Sequence, residues 1–401
     1  MGTETAAGPE RARPDLPAAG PGVPAAGPGL PAAGPDVAGA GPDVAGAGPE
    51  VAGAGPGVAG AGHDLSAGGD VMNRVTGCAR EALRAYGCHP EASVELLNVS
   101  ENATFLVSDP EAGRSVLRVH RLGYHTEQEI ASELAWMDAL RAEAGVRTPR
   151  VLAAAHGQRV VTVAERGGPG AAARHCVRFE FLSGTEPGGP GDETGGTLTG
   201  AHFAELGEIT ARMHRHARSW LRPRWFTRFR WDYAAAFGEQ ARWGRWQDGI
   251  GVGPSERLVL SRLDDTLRAR LTAFGQGPER YGLVHADTRL ANLLVHHGAF
   301  SVIDFDDCGF SWYLYDLGTS VSFFEHSPEV PALVDSWLTG YRQVSELSAE
   351  DEAEIWTFIL FRRLLLVAWI GSHAGVDIAA ELSAGYTRDS CDLAERYLST
   401  H

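Results

Sequence analysis

The sequence contains no lysine, so arginine carries every permanent positive charge among its side chains. Lys and Arg together number 35 against 51 Asp and Glu, and the formal net charge is −16. Nucleic acids and anionic membranes would repel such a chain except at a local basic patch, so a nonspecific binder of either partner is excluded. The acidic balance favours a soluble enzyme and suits a cationic substrate.

Cysteine is scarce, with five residues scattered along the chain and no C-x-x-C spacing. The number is odd, and this pattern is typical of reduced thiols in a cytoplasm rather than of a disulfide framework. Cys308 stands four residues after Asp304 and is expected to be a small buried filler. We therefore expect a cytoplasmic protein.

Long apolar runs are also missing. The longest candidate, around residues 356–370, is interrupted by Arg362 and Arg363 and is short for a bilayer. It is expected to be a helix of a larger lobe, with no membrane span in the chain. The N-terminal region has neither the charged start and apolar core of a signal peptide nor the Ser/Arg richness of a transit peptide.

Residues 1–70 form a region rich in Gly, Pro and Ala, in which seven-residue units such as PAAGPGV and AGAGPDV repeat between Pro17 and Leu65. Proline and glycine in each unit block a helix, and one Val or Leu per unit buries too little surface to offset chain entropy. We expect a disordered, partly extended spacer. A docking role for this tail stays open.

The candidate catalytic and metal-binding residues lie in the run HADTRLANLLV, residues 285–295, and in the segment SVIDFDD that follows it. Two short apolar strands joined by a turn at Gly298 are predicted here, and their pairing brings Asn292 and Asp304 to the same open end of a hairpin. An amide oxygen and a carboxylate are hard ligands that suit Mg²⁺. Asp287 lies on the loop that enters the hairpin, where it can accept or orient the proton of a substrate hydroxyl.

Two neighbouring residues of this region are assigned structural roles. His285 is expected to pack the loop rather than to shuttle protons. Asp316, in the downstream run WYLYDLGTS, is expected to brace the loop from the following helix, with an ordinary surface aspartate as the alternative.

From these motifs and the late helix FILFRRLLLVAWIGSH, the chain resembles the aminoglycoside phosphotransferase and homoserine kinase type II superfamily over roughly residues 73–395. It looks most similar to the branch that contains stress response kinase A. The resemblance implies an α+β, bilobal, protein-kinase-like fold with a small β-rich N-lobe at residues 71–186 and a larger, mainly helical C-lobe at 187–401. It also implies Asp287 as catalytic base, with Asn292 and Asp304 as magnesium ligands.

The N-lobe is predicted to hold ATP. The segment SENATF, which includes Ser100 and Asn102, could fold over the phosphates, or it could be a plain hairpin turn. Arg118 stands where the superfamily normally has a phosphate-binding lysine, and Glu133 stands where the paired glutamate is expected. An Arg at this position can still contact phosphate and carboxylate, although its planar guanidinium group is larger than the ammonium group of a lysine.

The resemblance further places the adenine-binding hinge near Glu180 to Leu182. In the C-lobe, Phe203 and Met213 fall on one apolar helix face, and His214 and His216 are expected to be exposed helix residues rather than metal ligands. Five tryptophans between residues 220 and 246 could cover an acceptor pocket or tie a long connection onto the lobe, with the second role favoured.

The sequence therefore predicts an ATP- and Mg²⁺-dependent phosphotransferase that acts on a hydroxyl acceptor. A small amino alcohol or amino-acid-like molecule is the first choice of acceptor, and a Ser or Thr side chain of a protein is the alternative. A pseudokinase or nucleotide sensor is the second alternative, motivated by Arg118. Asp306, Asp307 and Glu325 are candidate acids for an acceptor amino group, and the oligomeric state stays open.

Overall fold

The computed structural model describes residues 68–99, 102–165, 172–190, 192, 196–373 and 377–400. Ser100 and nearly all of the predicted repeat tail, residues 1–67, lie outside this part of the chain.

The N-terminal lobe contains a helix before the sheet, six strands and a helix between strands. Its elements are α1 Gly68–Ala85, β1 Ser93–Val99, β2 Ala103–Asp109, β3 Gly113–Val119, α2 Glu127–Glu143, β4 Val151–Leu152, β5 Val160–Ala164 and β6 Ala173–Glu180.

The six strands form one antiparallel sheet in the order β1-β2-β3-β6-β4, with β5 also pairing with β6. Helix α1 packs on one side of this sheet, where Val75 and Ala79 join Phe105 and Val107 of β2 in a small core. Helix α2 belongs instead to the main core of the molecule, through side chains such as Leu134. The sheet and the helical lobe are thus joined by α2.

The C-terminal lobe is mainly helical. Its helices are α3 Gly200–Ser219, α4 Tyr233–Phe237, α5 Pro254–Phe274, α6 Leu314–Ser320, α7 Val330–Tyr341, α8 Ala349–Glu352, α9 Ile355–Ser372 and α10 Asp377–Leu398. Its strands are β7 Tyr281–Val284, β8 Leu293–His296, β9 Ala299–Val302 and β10 Gly309–Trp312.

Helices α3 and α7 approach closely because each carries a glycine at the contact. A Cβ atom added to Gly207 would lie 2.0 Å from the carbonyl oxygen of Trp337, and one added to Gly340 would lie 1.7 Å from that of Ala204. Any side chain at either position would push the helices apart. The predicted apolar face of α3 is confirmed, because Phe203, Leu206, Ile209 and Met213 are all buried.

Helix α9 lies at the centre of the lobe. The segment 349–372 is long and apolar enough to cross a membrane, yet 83% of its apolar window is buried inside the protein. This agrees with the prediction of a core helix. The two-lobed α+β architecture is confirmed as well, whereas the predicted boundary at residues 186 and 187 stays a prediction.

Candidate active site

A cleft between the sheet and the helical lobe collects most of the predicted site residues. Six of them line it: Arg118, Glu133, Glu180, Leu182, Asn292 and Asp304. Apolar side chains, including Val116, Met137 and Leu294, line the same cleft. The cleft therefore combines an apolar surface with a charged end.

Asp287 lies on the loop between β7 and β8 and is 1% exposed. Its Oδ2 atom accepts hydrogen bonds from Asn292 Nδ2 at 2.7 Å and from Arg289 Nε at 3.1 Å. Its Oδ1 atom accepts a bond from Arg362 Nη2 at 2.6 Å. The carboxylate is thus held through both oxygens in a position fixed by its neighbours.

The predicted hairpin is present as β8 and β9, which pair from Leu293 with Val302 to His296 with Ala299. The turn is tight because His297 and Gly298 have φ angles of 50° and 71°, the pattern of a two-residue hairpin turn. Beyond the ladder, the Ile303 amide donates to the Asn292 carbonyl at 3.0 Å. Asn292 therefore lies opposite Ile303, one residue from the predicted partner Asp304.

Asp304 has a φ of 57°, a left-handed conformation that non-glycine residues rarely adopt. Backbone strain of this kind persists where the surroundings enforce it, and it often occurs at functional sites. Asn292 donates both to the carboxylate and to the backbone oxygen of Asp287 through Nδ2. The Oδ1 atom of Asn292 is the acceptor of the same side chain, and Asn292 lines the cleft.

Arg118, on β3, is 4% exposed and contacts three carboxylates. It donates to Glu133 of α2 and, at 3.2 Å, to Asp304, and its Nη1 lies 3.6 Å from Asp306. Burial opposes the charge, but the carboxylates outweigh burial and raise the pKa of Arg118 above its usual value. The guanidinium therefore pairs with the predicted glutamate and reaches the predicted metal ligand.

Asn102 is fully buried at the start of β2. Its Nδ2 donates to Asp306 Oδ2 at 2.8 Å, and its Oδ1 accepts a bond from the Arg121 amide at 3.1 Å. The side chain thus links the N-lobe to the loop after Asp304. Its predicted contact with phosphates stays a prediction, and so does that of Ser100, which lies outside the described residues.

The hinge region follows β6. The Glu180 amide donates to the Arg150 carbonyl at 2.9 Å, and the Glu180 carboxylate accepts a bond from the Arg150 amide at 2.8 Å. The backbone N–H of Glu180 is therefore already used. Glu180 and Leu182 both line the cleft, and their predicted contact with adenine stays a prediction.

The loop bearing Asp287 is braced from α6, as predicted for Asp316. Asp316 accepts hydrogen bonds from the amides of His285, at 3.2 Å, and Ala286, at 2.7 Å. Ala286 has a φ of 67°, so this bond stabilises a strained residue. His285 contacts the Ile303 carbonyl through Nε2 at 3.1 Å, and burial lowers its pKa, in agreement with a structural role.

The expectation of two exposed histidines on α3 is wrong. His214 is fully buried and bonds to Asp316 Oδ2 at 2.9 Å, and His216 is 7% exposed and bonds to Glu143 at 3.1 Å. Both face neighbouring elements, because the buried face of α3 is wider than its apolar residues indicate. Within the described ranges, no group of three or more His, Cys, Asp or Glu is arranged to hold a metal ion.

Sequence reasoning assigned no role to Arg362, although its guanidinium contacts Asp287. An arginine inside an otherwise apolar helix was the available signal, since a buried charge requires a partner. Glu325, a candidate for binding an acceptor amine, instead pairs with Arg363 and accepts a bond from Tyr386 at 3.1 Å.

Other expectations for the C-lobe hold. Cys308 is fully buried, and burial raises its pKa to about 12. Three of the five clustered tryptophans are buried in the core: Trp231, Trp243 and Trp246. Their burial supports the role of fastening a long connection onto the lobe.

Comparison with known proteins shows the family of the chain. Residues 94–353 match the model of the phosphotransferase enzyme family. The solved structure of a microcompartment-associated aminopropanol kinase is 49% identical, has a TM-score of 0.73, and covers 80% of this chain and 97% of that one.

Amicoumacin kinases are more distant relatives. The protein of Bacillus subtilis (strain 168) is 28% identical over 203 residues, 47% of this chain and 57% of the relative, so the match spans less than two thirds of that protein. A solved amicoumacin kinase in complex with AMP-PNP and Ca²⁺ has a TM-score of 0.65 at 22% identity, covering 80% of this chain and 95% of that one. This second likeness shows the fold alone.

The relatives named here are small-molecule kinases, and none of them supports a protein acceptor. The predicted enzyme class and protein-kinase-like fold are confirmed. The chain belongs to the phosphotransferase enzyme family.

Proposed function

We propose that the protein transfers the γ-phosphoryl group of ATP, in the presence of Mg²⁺, to the hydroxyl group of a small amino alcohol. The observation that carries this proposal is the hydrogen bond at 2.7 Å between Asp287 and Asn292, which lines the cleft together with Asp304. Phosphoryl transfer needs positioning and charge neutralisation rather than covalent chemistry by the protein. The fixed carboxylate of Asp287, bonded to Asn292, meets the need for positioning, and Asn292 and Asp304 supply oxygen ligands in the cleft.

The nucleotide is assigned to the cleft. Its apolar walls suit adenine, and Leu182 lines it, so we assign the hinge contacts to the backbone at Leu182. Arg118, held by Glu133, supplies the positive charge that steadies the phosphates. Because Arg118 keeps this pairing, we favour an active kinase over a pseudokinase.

The residues present fit Mg²⁺. Asn292 Oδ1 and the Asp304 carboxylate are hard oxygen ligands, and Mg²⁺ commonly takes one or two protein groups together with phosphate oxygens and water. When bound, the ion neutralises the charge that develops on the transferred phosphoryl group. Asn292 has a second task, because its Nδ2 atom fixes the Asp287 carboxylate.

Asp287 is assigned to the acceptor hydroxyl. Its carboxylate orients the O–H group in line with the phosphoryl group and accepts its proton as the new bond forms. The amino alcohol as acceptor rests on the 49% identical aminopropanol kinase and on the net charge of −16, which favours a cationic substrate.

The test is a direct product assay. The full chain is incubated with ATP, Mg²⁺ and single acceptors: aminopropanol, ethanolamine, choline, an aminoglycoside and a Ser/Thr-rich peptide. Products are identified by mass as phosphomonoesters. Asp287→Asn and Asp304→Asn are the matched controls, because each removes one charge with little change in volume.

We expect a phosphomonoester of an amino alcohol with the wild-type chain and a loss of at least about 100-fold with either variant. If only the peptide is phosphorylated, the acceptor is a Ser or Thr side chain and not a small amino alcohol. No product from any acceptor, together with no ATP- and Mg²⁺-dependent rise in melting temperature, would contradict the kinase function itself.

A further inference from the structure

Two adjacent arginines lie in the middle of helix α9, and both are fully buried. Arg362 and Arg363 are each 0% exposed, and the helix around them is apolar. Burying a guanidinium is expensive unless its charge and its N–H groups find partners. Consecutive helix residues point about 100° apart, so the two side chains reach different surroundings.

Arg363 contacts helix α10 and Glu325. Its Nη1 atom donates to Glu325, its Nε donates to Ser390 Oγ at 2.7 Å, and its Nη2 donates to the Tyr386 carbonyl at 3.2 Å. The guanidinium also lies 3.6 Å from the centre of the Tyr386 ring. Two of these partners belong to α10, so Arg363 ties α9 to α10.

Arg362 points toward the catalytic loop. Each of its nitrogen atoms has a partner: Nη2 donates to Asp287 Oδ1 at 2.6 Å, Nε to Ser322 Oγ at 3.1 Å and Nη1 to Tyr315 Oη at 3.2 Å. The guanidinium also lies 5.1 Å from the centre of the Trp243 ring. Arg362 is thus held in one orientation by Tyr315 of α6, by Ser322 just after that helix and by Trp243.

We propose that Arg362 is a positioning residue for phosphoryl transfer, acting through Asp287. Arg362 engages Oδ1, whereas Asn292 and Arg289 engage Oδ2. The plane of the carboxylate is therefore fixed from both sides, and the acceptor hydroxyl meets it in one orientation. This inference rests on the proposed function, because it needs a hydroxyl acceptor at Asp287.

Charge gives Arg362 a second effect on the same group. A carboxylate beside a transferring phosphoryl group is repelled by it, and a cation on the far oxygen of the carboxylate offsets that repulsion. Arg362 is not among the residues that line the nucleotide cleft. Its effect is therefore expected on turnover and not on the binding of ATP.

Arg363 supplies the matched control, because it is the next residue, is equally buried and is equally paired with a carboxylate. Four variants are compared with the wild-type chain: Arg362→Gln, Arg362→Lys, Arg363→Gln and Arg363→Lys. Melting temperature, kcat for the amino alcohol, and KM for ATP and for the acceptor are measured for each, at least ten degrees below the lowest melting temperature.

We expect Arg362→Gln to lower kcat by about 100-fold, the scale of a misplaced catalytic group, with KM for ATP changed by less than about threefold. Arg362→Lys keeps the charge but loses the planar fork, so it should recover at least about tenfold of that loss. The Arg363 variants should lose comparable thermal stability, yet keep kcat within about threefold of wild type.

Equal losses of kcat in the Arg362 and Arg363 variants would overturn the proposal, since they would reflect a structural role shared by both residues. A rise in KM for ATP at unchanged kcat would also overturn it. If Arg362→Gln does not fold, kcat and KM for ATP are compared between Arg362→Lys and Arg363→Lys, and the same criteria apply. Failure of the proposed function is distinguishable, because the wild-type chain itself would then phosphorylate no amino alcohol.

Discussion

Arg118 of strand β3 and Glu133 of helix α2 form a buried ion pair, and the same guanidinium reaches Asp304 at 3.2 Å. One arginine therefore links the sheet, the helix between strands and the loop that carries a proposed metal ligand. We expect this guanidinium to contact the nucleotide phosphates, although it is planar and larger than an ammonium group.

Replacing Arg118 with Ala should weaken both function and stability. The nucleotide loses a cation, so kcat/KM for ATP should fall by about 100-fold or more. Glu133 is left buried and unpaired, which should lower the free energy of unfolding by about 3–5 kcal/mol. Steady-state kinetics and urea unfolding measure the two effects.

Arg118→Lys is the control, because it retains the charge and should keep kcat/KM within about tenfold of wild type. Unchanged kcat/KM for ATP in Arg118→Ala would remove the role assigned to this side chain. A loss of stability alone would leave Arg118 as a structural ion pair.

Asp316 offers a second test, since it holds the loop that carries Asp287. Asp316→Ala removes the acceptor for the amides of His285 and Ala286 and the partner of His214. Each buried donor left without a partner costs about 1–3 kcal/mol, so stability should fall markedly. Turnover should also fall, because Ala286 loses the bond that stabilises its positive φ.

The measurement for Asp316→Ala is kcat beside the melting temperature, with Asp335→Ala as the control. Asp335 is an exposed residue of α7, so its replacement should change neither quantity appreciably. If Asp316→Ala were as active as wild type at a temperature where both are folded, the loop would not need this brace.

The geometry of the loop that carries Asp287 could be predicted because it is local. His285, Asp287 and Asn292 lie within one short run, and a two-residue turn at Gly298 fixes the hairpin that follows. Strand pairing then determines which residues share its open end. The sequence contained all of this information, and the register was predicted to within one residue.

Contacts between distant segments could not be predicted in the same way. Arg362 meets Asp287 across 75 positions of the chain, and Asn102 meets Asp306 across 204. His214 looked like a surface residue because its partners, Asp316 and Tyr341, come from α6 and α7. A single sequence shows that a charge or an imidazole is present, but its partner depends on how the helices pack.

Variants of Asn102 test whether the hydrogen bonds of one side-chain amide stabilise the contact between the two lobes. Asn102→Ala removes the bonds to Asp306 and to the Arg121 amide, which should lower the free energy of unfolding by about 1–3 kcal/mol. Asn102→Asp keeps the size but places a second carboxylate against Asp306, so it should destabilise more than Ala does. The reverse order in urea unfolding would contradict the hydrogen bond as the source of stability.

Buried histidines make the stability of the fold depend on pH. Burial lowers the pKa of four of them among the described residues: His120, His125, His214 and His285. The unfolded chain has histidine pKa values of about 6.5. Below that pH it binds protons that the folded chain does not, so stability is complete above about pH 6.5 and is lost as the pH falls toward the lowered values.

Each such histidine contributes up to about 1.4 kcal/mol per pH unit, and four together contribute up to about 5.6 kcal/mol per pH unit. Urea unfolding between pH 5 and 8 should therefore give a flat free energy above pH 7 and a steep decline below pH 6.5. His214→Gln removes one of these groups, so it should reduce the slope of the free energy of unfolding against pH by up to about 1.4 kcal/mol per pH unit. A free energy of unfolding that stays level from pH 7 to pH 5 would mean that the buried imidazoles take up protons in the folded state.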